Sequence, residues 1–255
     1  MPPYIFKVFG FDHILSMIII LIIFILLLKF NKIIGIPDNS KRFLVALSFF
    51  MISLDLSEDL VRVFTGFYSI KKDLPLQLCS IGVYIAAYNL IYRNQTIFDL
   101  IFYWGFVGAS NAIITPDGDL FELRVFFYYS QGYHAALIFA VLWLMIKYNM
   151  RMQYKSTFKV VIITNVIVGL ISLVNYVMDS NYMFLRQIPN SVSPFLMGEW
   201  PVYIIMVQVI SIILVVLFIS IQNIQSSRAH AGVDDMDCYF YIDRFSFLYL
   251  PSNFS

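Results

Sequence analysis

Cys79 and His134 form a pair of residues that could carry covalent chemistry, and both lie in apolar stretches of the sequence. A cysteine acts as a nucleophile through its thiolate, so the sulfur needs a base or a cation beside it. An imidazole within hydrogen-bond reach could take the thiol proton. The alternative is structural, with Cys79 as a small packing residue and His134 as a hydrogen-bonded histidine. The other cysteine, Cys238, lies in a polar tail. Two cysteines are too few for a disulfide framework, so both are predicted to be free thiols.

Four amide side chains lie near the same ends of the apolar stretches and could hold a polar part of a substrate: Asn111, Gln131, Asn175 and Asn181. An amide presents hydrogen-bond donors and acceptors, so it can polarise an ester carbonyl or satisfy backbone groups at a helix end. Asn111 and Asn175 are the candidates for polarising a carbonyl. Gln131 precedes His134 by three residues, which predicts that both lie on roughly the same face of a helix.

A charged stripe interrupts one of the apolar stretches. Its members recur at three- and four-residue intervals, which places them on one side of a helix. They are Asp55, Glu58, Asp59 and Arg62. Charges inside a bilayer are costly unless they are paired or hydrated, so the stripe must face the bundle interior or a water cavity. Three interpretations stay open: an internal ion pair that fixes packing, with Glu58 and Arg62 as the first choice and Asp59 with Arg62 as the second; a span that ends early; or a proton, ion or head-group site.

The composition is typical of a membrane protein. Of the 255 residues, 60% are hydrophobic and 13% are charged, whereas soluble domains average about 45–50% apolar and about 25% charged residues. A net charge of +1 leaves no basic surplus for neutralising phosphates, so a nucleic-acid partner is not expected. The sequence contains no zinc-ligand spacing, phosphate-binding loop, dinucleotide turn or serine nucleophile elbow, so neither a metal nor a cofactor is expected.

Seven apolar stretches are long enough to cross a bilayer, for which about 20 residues are needed. They are predicted at residues 12–30, 43–67, 74–92, 97–115, 124–146, 158–178 and 201–221. The chain is therefore predicted to be an all-α, polytopic membrane bundle. Residues 1–221 would form a seven-span membrane domain, and residues 222–255 a cytoplasmic tail that is poorly ordered.

The distribution of lysine and arginine predicts the orientation, because loops on the cytoplasmic side carry an excess of both. With the N-terminus outside, eleven of the 17 lysines and arginines fall on the cytoplasmic side and five on the external side, with Arg62 inside a span. The N-terminus is thus predicted to be outside and the C-terminus inside. This orientation puts the connections around residues 68–73, 116–123 and 179–200 at the external end.

Counted from the external ends of their spans, the candidate residues lie at similar depths in the bilayer. At about 1.5 Å per residue, Cys79 lies about 7 Å deep, Gln131 about 9 Å and His134 about 14 Å. Helical side chains tilt toward the N-terminus, which is the external direction for the fifth span, so His134 leans toward the level of Cys79. The third and fifth spans could thus present a thiol and an imidazole to one cavity.

Several motifs occur in order between residues 74 and 201. They are Leu74-Pro75-Leu76-Gln77-Leu78-Cys79, Trp104-Gly105-x-x-Gly108-Ala109 leading to Ile113-Ile114-Thr115-Pro116-Asp117, Asn175-Tyr176 with Asn181-Tyr182-Met183, and Gly198-Glu199-Trp200-Pro201. Together they resemble the YwaF-like family of bacterial integral membrane proteins, which looks related to the eukaryotic transmembrane protein 164 acyltransferases. The resemblance covers roughly residues 74–215 and implies a helical bundle of about seven spans.

For the eukaryotic relatives, the resemblance implies transfer of an acyl chain between phospholipids through an acyl-cysteine, assisted by a histidine in a later span. The cysteine corresponds to Cys79. The histidine position falls on Gln131, and Gln77 also takes a position where bacterial relatives often have histidine. Glutamine cannot take a proton from a thiol. Either His134, one turn beyond Gln131, replaces the missing base, or this member has lost the chemistry.

Three functions are compatible with the sequence. The first is a phospholipid acyltransferase with Cys79 as nucleophile and His134 as base, its substrate entering from the bilayer. The second is an ion-coupled transporter in which the acidic residues of the second span handle charge. The third is a non-enzymatic membrane protein that binds a lipid or a protein partner. Membrane lipids are the expected partners, and a multi-pass membrane location (the plasma membrane if the protein is bacterial) is expected, with the oligomeric state left open.

Overall fold

The computed structural model describes residues 4–230, with the backbone alone at Phe106 and over residues 225–230. Within that range the chain forms helices joined by turns and loops, without a strand, so the predicted all-α class is confirmed. The helices are α1 (Phe11–Lys29), α2 (Lys41–Thr65), α3 (Leu78–Tyr92), α4 (Gln95–Tyr103), α5 (Ser110–Ile114), α6 (Arg124–Tyr148), α7 (Tyr154–Met178) and α8 (Val202–His230). A π-helical turn over Trp104–Ala109 joins α4 to α5, and 3₁₀ turns occur at Gly118–Leu120 and Tyr182–Phe184.

Five helical segments in the described part of the chain are long and apolar enough to cross a membrane. They are Phe11–Lys29, Gln95–Ile114, Arg124–Tyr148, Tyr154–Met178 and Val202–Ile224. Of the other two predicted spans, α3 is apolar but has 15 residues, and α2 has 25 residues but includes the charged stripe. A count of seven spans requires α2 and α3 to cross as well, and it stays a prediction together with the orientation.

Local sequence explains where α2 and α4 begin and where α2 ends. Ser40 Oγ accepts a hydrogen bond from the backbone N–H of Phe43, and Asn94 Oδ1 accepts one from the N–H of Ile97. Each satisfies an N–H group that has no partner within the helix itself. α2 ends at Gly66, whose φ of 77° lies in the left-handed region that glycine adopts without strain.

α3 begins at Leu78, whereas the third span was predicted to begin at residue 74. The preceding segment is bonded to the loop that follows α7. The N–H of Leu74 donates to the Tyr182 hydroxyl at 3.2 Å, and Gln77 Oε1 accepts from the N–H of Met183 at 2.8 Å. These long-range hydrogen bonds hold the segment outside the helix, and they were not predictable from hydropathy.

α6 runs through the centre of the bundle, where it contacts α1 to α5 and the π turn. At the end of the bundle where α2 begins and α6 ends, apolar side chains fill the interior. The largest contributors to this apolar core are Leu44, Leu90, Phe98, Trp143 and Leu144, each no more than 2% exposed. This end of the bundle is therefore closed.

The outer helices expose apolar surface. Within the most apolar stretch of each helix, 11% of the residues are buried in α1, 22% in α7 and 17% in α8. Surface of this kind is favourable in the hydrocarbon of a bilayer, where about 20 apolar residues span the membrane. The packing therefore fits a bundle surrounded by lipid.

α8 continues beyond residue 221, where the seventh span was predicted to end, as far as His230. The first part of the predicted tail is thus helical. Residues 231–255, which include Cys238, lie outside the described residues.

Candidate functional site

A cavity of about 410 Å³ lies between the helices at the end of the bundle opposite the apolar core. Its walls come from α2, α3, α5, α6, α7, α8 and the π turn. Its rim comes from the connections over residues 72–77, 115–121 and 183–196. The volume falls within the range of about 300–1,000 Å³ that is typical of small-molecule sites.

Cys79 lies on the first turn of α3 and lines this cavity. The π turn packs against it with Gly108, where an added Cβ would lie 3.6 Å from Cys79 Sγ. A π-helical turn inserts an extra residue into a helix and is frequent at functional sites. Because Gly108 has no side chain, the sulfur keeps space on its cavity side.

His134 also lines the cavity, from α6, and is 6% exposed. Its Nδ1 lies 2.7 Å from the backbone oxygen of Ser130. A carbonyl oxygen can only accept, so Nδ1 carries the proton and Nε2 presents a lone pair. Nε2 makes no hydrogen bond to the residues that the structure describes, and the ring of Tyr133 packs on the imidazole with centroids 4.2 Å apart. The imidazole is thus held in the tautomer that can act as a base.

The predicted amide residues separate into two groups. Asn111 lines the cavity, whereas Gln131, Asn175 and Asn181 do not. Gln131 is 2% exposed, and neither polar atom of its side chain has a hydrogen-bond partner among the described residues. Gln131 therefore lies outside the cavity lining, while His134, one turn later, belongs to it.

Asn175 and Asn181 stabilise the loop after α7. Asn175 is fully buried; its Oδ1 accepts from Ser180 Oγ and from the N–H of Tyr182, and its Nδ2 donates to the oxygen of Tyr182. Asn181 Oδ1 accepts from the backbone N–H groups of Arg186 and Gln187. These amides shape the wall of the cavity rather than line it.

Replacing Asn175 with alanine is expected to destabilise the protein by about 1–3 kcal/mol, because it leaves buried backbone groups without partners. Thermal unfolding in detergent measures the change. Asn165→Ala is the matched control, since Asn165 is an exposed amide of the same helix whose Nδ2 donates to Val161 O. Equal shifts in the two variants would contradict the role given to Asn175.

Arg62 is the centre of an ion-pair network at the cavity rim. Its guanidinium lies 2.9 Å from Glu58, 3.6 Å from Asp73 and 3.0 Å from Glu122, and 4.0 Å above the ring of Phe126. It is 6% exposed, so these charges are paired away from solvent. The network joins α2 to two of the rim connections and to α6.

At this rim, the pKa of Glu122 depends on burial and on two nearby cations, which act in opposite directions. Its carboxylate also accepts from Lys72 Nζ at 2.6 Å. Burial alone would raise the pKa of Glu122, but the Lys72 ammonium and the Arg62 guanidinium outweigh burial and hold that pKa below its usual value. Glu122 therefore stays ionised and paired at neutral pH.

The other acidic residues of the stripe also line the cavity. Asp55 is 8% exposed and accepts from the Tyr84 hydroxyl at 2.7 Å. Asp59 makes no hydrogen bond to the part of the chain that the structure describes. Within the described part of the chain, the four charged residues of the stripe thus divide into an ion pair, a hydrogen-bonded carboxylate and an unpaired one.

Several residues of this site could not be identified from the sequence. Tyr133 and Gly108 contact the two candidate catalytic side chains, yet an aromatic residue or a glycine in an apolar helix gives no distinctive signal. Connection 183–196 and α8 supply one side of the cavity through contacts between distant parts of the chain. Among the described residues there is no group of three or more histidine, cysteine or acidic side chains that could hold a metal ion.

The model of the TMEM164 family matches residues 8–219. That range includes every residue that lines the cavity. No curated protein and no solved structure matches the chain. The family match thus extends over the helices and connections that form the site.

Proposed function

This chain is a multi-pass membrane protein that belongs to the TMEM164 family, and from that premise we propose that it transfers acyl chains between membrane lipids through a thioester on Cys79. One observation carries the proposal: Cys79 and His134 line the same cavity, and His134 presents an unprotonated Nε2. Covalent thiol chemistry requires a nucleophile and a base that can reach each other, and their place on one cavity supports this.

The proposed reaction has two balanced halves. In the first, His134 Nε2 takes the thiol proton, the thiolate attacks the ester carbonyl of a phospholipid, and the carbon–oxygen bond breaks. The lysophospholipid oxygen leaves with the proton from His134, and the acyl chain stays on Cys79. In the second half, the hydroxyl of another lysophospholipid attacks the thioester, gives its proton to His134, and the proton returns to the sulfur.

The lining of the cavity supports a lipid substrate. The charged residues of its lining come from α2 and the rim connections, and apolar side chains such as Trp104, Val107, Val168 and Val207 lie elsewhere in it, together with polar ones such as Thr164 and Gln208. A phospholipid ester likewise combines a polar head with a hydrocarbon chain. A substrate of this kind would enter from the bilayer.

In this proposal the charged residues of α2 have a structural role. Glu58 and Arg62 neutralise each other, and Asp55 is hydrogen-bonded to Tyr84, so most of the stripe is already paired. Ion-coupled transport, the alternative function, would depend on Asp59 and Asp55. Proton-coupled flux that is lost in Asp55→Asn and normal in Cys79→Ala would favour transport over acyl transfer.

The proposal includes seven spans with the N-terminus outside and the C-terminus inside. The cavity then opens at the external end of the bundle, because its rim connections belong to the side that is poor in lysine and arginine. Assignment to the YwaF-like bacterial family and a plasma-membrane location stay predictions.

The direct test uses the full chain, purified and reconstituted in phosphatidylcholine vesicles that carry a labelled acyl chain. We expect label on the protein that neutral hydroxylamine releases, and labelled phospholipid after a lysophospholipid is added. A protein that acquires no hydroxylamine-sensitive label and transfers no chain would overturn the proposal and favour a non-enzymatic role.

A further inference from the structure

We infer that the side-chain NH₂ group of Asn111 stabilises the oxyanion formed when Cys79 attacks an ester, and that Ser193 holds the amide in the required orientation. The inference rests on the proposed function. It assigns one further catalytic residue and one positioning residue, and the positioning residue comes from a connection far away in the sequence.

The hydrogen bonds of Asn111 fix which way its amide points. Ser193 Oγ donates to Asn111 Oδ1 at 2.6 Å, and Thr115 Oγ1 lies 3.0 Å from the same oxygen. Because Ser193 Oγ donates to this oxygen, the NH₂ group at the other side of the amide points away from Ser193. Nδ2 makes no hydrogen bond within the described residues, and the side chain lines the cavity. The amide therefore offers two unused N–H donors there.

The position of Asn111 on the chain brings this donor to the side of the cavity that holds the nucleophile. Asn111 follows Gly108 by three residues, and residues at this spacing lie on one face of a helix. Gly108 faces the sulfur, since a Cβ added to it would lie 3.6 Å from Cys79 Sγ. Asn111 thus projects from the next turn of the same wall, beside the space where an ester attacked by Cys79 would lie.

Attack by a thiolate moves negative charge onto the carbonyl oxygen, and that oxygen needs donors that are already in place. The rim cations do not meet this need, because Arg62 and Lys72 are paired with carboxylates. Asn175, the other amide proposed for this task, uses its side-chain groups within its own loop. Asn111 combines unused donors with a position near the sulfur.

Ser193, which orients the amide of Asn111, lies in connection 183–196. It is 6% exposed, so its hydrogen bond to Asn111 is shielded from solvent. Ser191 makes a second link between the same connection and the residues at the end of α5: its Oγ donates to the backbone oxygen of Thr115 at 2.6 Å. The two serines make equally short bonds, but one orients the amide and the other does not touch it. They form a matched pair for mutagenesis.

The test measures single-turnover acylation of Cys79 in phosphatidylcholine vesicles with a labelled acyl chain. Asn111→Asp keeps the shape and the acceptor but replaces the NH₂ group, so the acylation rate is expected to fall about 10²–10³-fold with little change in the concentration of lipid at half-maximal rate. Ser193→Ala is expected to slow acylation about tenfold, the equivalent of one hydrogen bond, and Ser193→Thr to restore it. Ser191→Ala, which leaves the bond between Ser193 and Asn111 in place, is expected to slow acylation less than Ser193→Ala does.

Each outcome decides the inference. Wild-type acylation with an unchanged rate in Asn111→Asp would overturn it and leave the proposed function intact. Equal losses in Ser193→Ala and Ser191→Ala would reduce Ser193 to a general loop contact and overturn its positioning role. If Asn111→Asp does not fold, as judged by its thermal unfolding, the pair of serine variants decides. Absence of acylation in the wild-type protein would overturn the proposed function and this inference together.

Discussion

Cys79→Ala is expected to abolish hydroxylamine-sensitive acylation of the protein and, with it, transfer of the labelled chain to a lysophospholipid. The loss is complete because alanine cannot form the thioester that both halves of the reaction share. Structural damage should be small, since alanine is smaller than cysteine and the site faces a cavity. Label retained on the protein, quantified after separation from lipid, measures the effect.

The matched control is the other cysteine of the chain. Cys238→Ala is expected to acylate and transfer at the wild-type rate, so the pair separates the reaction at one sulfur from adventitious thiol labelling. Equal labelling of the Cys79→Ala and wild-type proteins would exclude Cys79 as the acyl carrier. Normal lipid transfer without any acyl-protein would point to direct transfer between lipids.

His134→Ala is expected to slow acylation by about 10²–10⁴-fold, the usual contribution of a general base. Cys79 stays in place, so a slow reaction that speeds up as the solution pH rises should remain, driven by spontaneous ionisation of the thiol. Imidazole added to the vesicles is expected to restore part of the rate by entering the space that the side chain leaves. A purely structural histidine would give neither response.

Gln131→Leu provides the control for the histidine assignment. The sequence resemblance assigns the histidine position to Gln131, but Gln131 is buried outside the cavity, and neither polar atom of its side chain has a partner among the described residues. Replacing an unpaired buried amide with an apolar group is expected to leave acylation unchanged and to keep or raise stability. Loss of acylation in Gln131→Leu with normal acylation in His134→Ala would reverse the two roles.

Much of the architecture could be predicted because the length and position of each apolar stretch can be read directly from the sequence. The fifth span was predicted at residues 124–146 and α6 is Arg124–Tyr148; the sixth was predicted at 158–178 and α7 is Tyr154–Met178. The start of α3 was predicted less well, because it depends on hydrogen bonds from Leu74 and Gln77 to a loop about a hundred residues later.

The candidate site was predictable in its residue types but not in its geometry. Asn111 and Asn175 looked equivalent in the sequence, since both are amides near the same end of an apolar stretch. Their roles differ because Ser193 bonds to the side-chain oxygen of Asn111 and leaves its NH₂ group unused within the described residues, whereas the side chain of Asn175 is fully hydrogen-bonded to Tyr182 and Ser180. Contacts of this kind depend on how the loops fold back on the helices, which residue spacing does not encode.

The apolar core that closes one end of the bundle has a consequence for the supply of substrate. In the proposed reaction, lipids would approach Cys79 from the leaflet that surrounds the open end, because packed side chains such as Leu44, Phe98 and Trp143 fill the other half. If acyl transfer takes place in this cavity, donor and acceptor must share that leaflet, and the number of acyl chains in each leaflet stays constant. A lysophospholipid delivered to the opposite leaflet would have to cross the bilayer first, so its acylation would proceed at the pace of transbilayer movement.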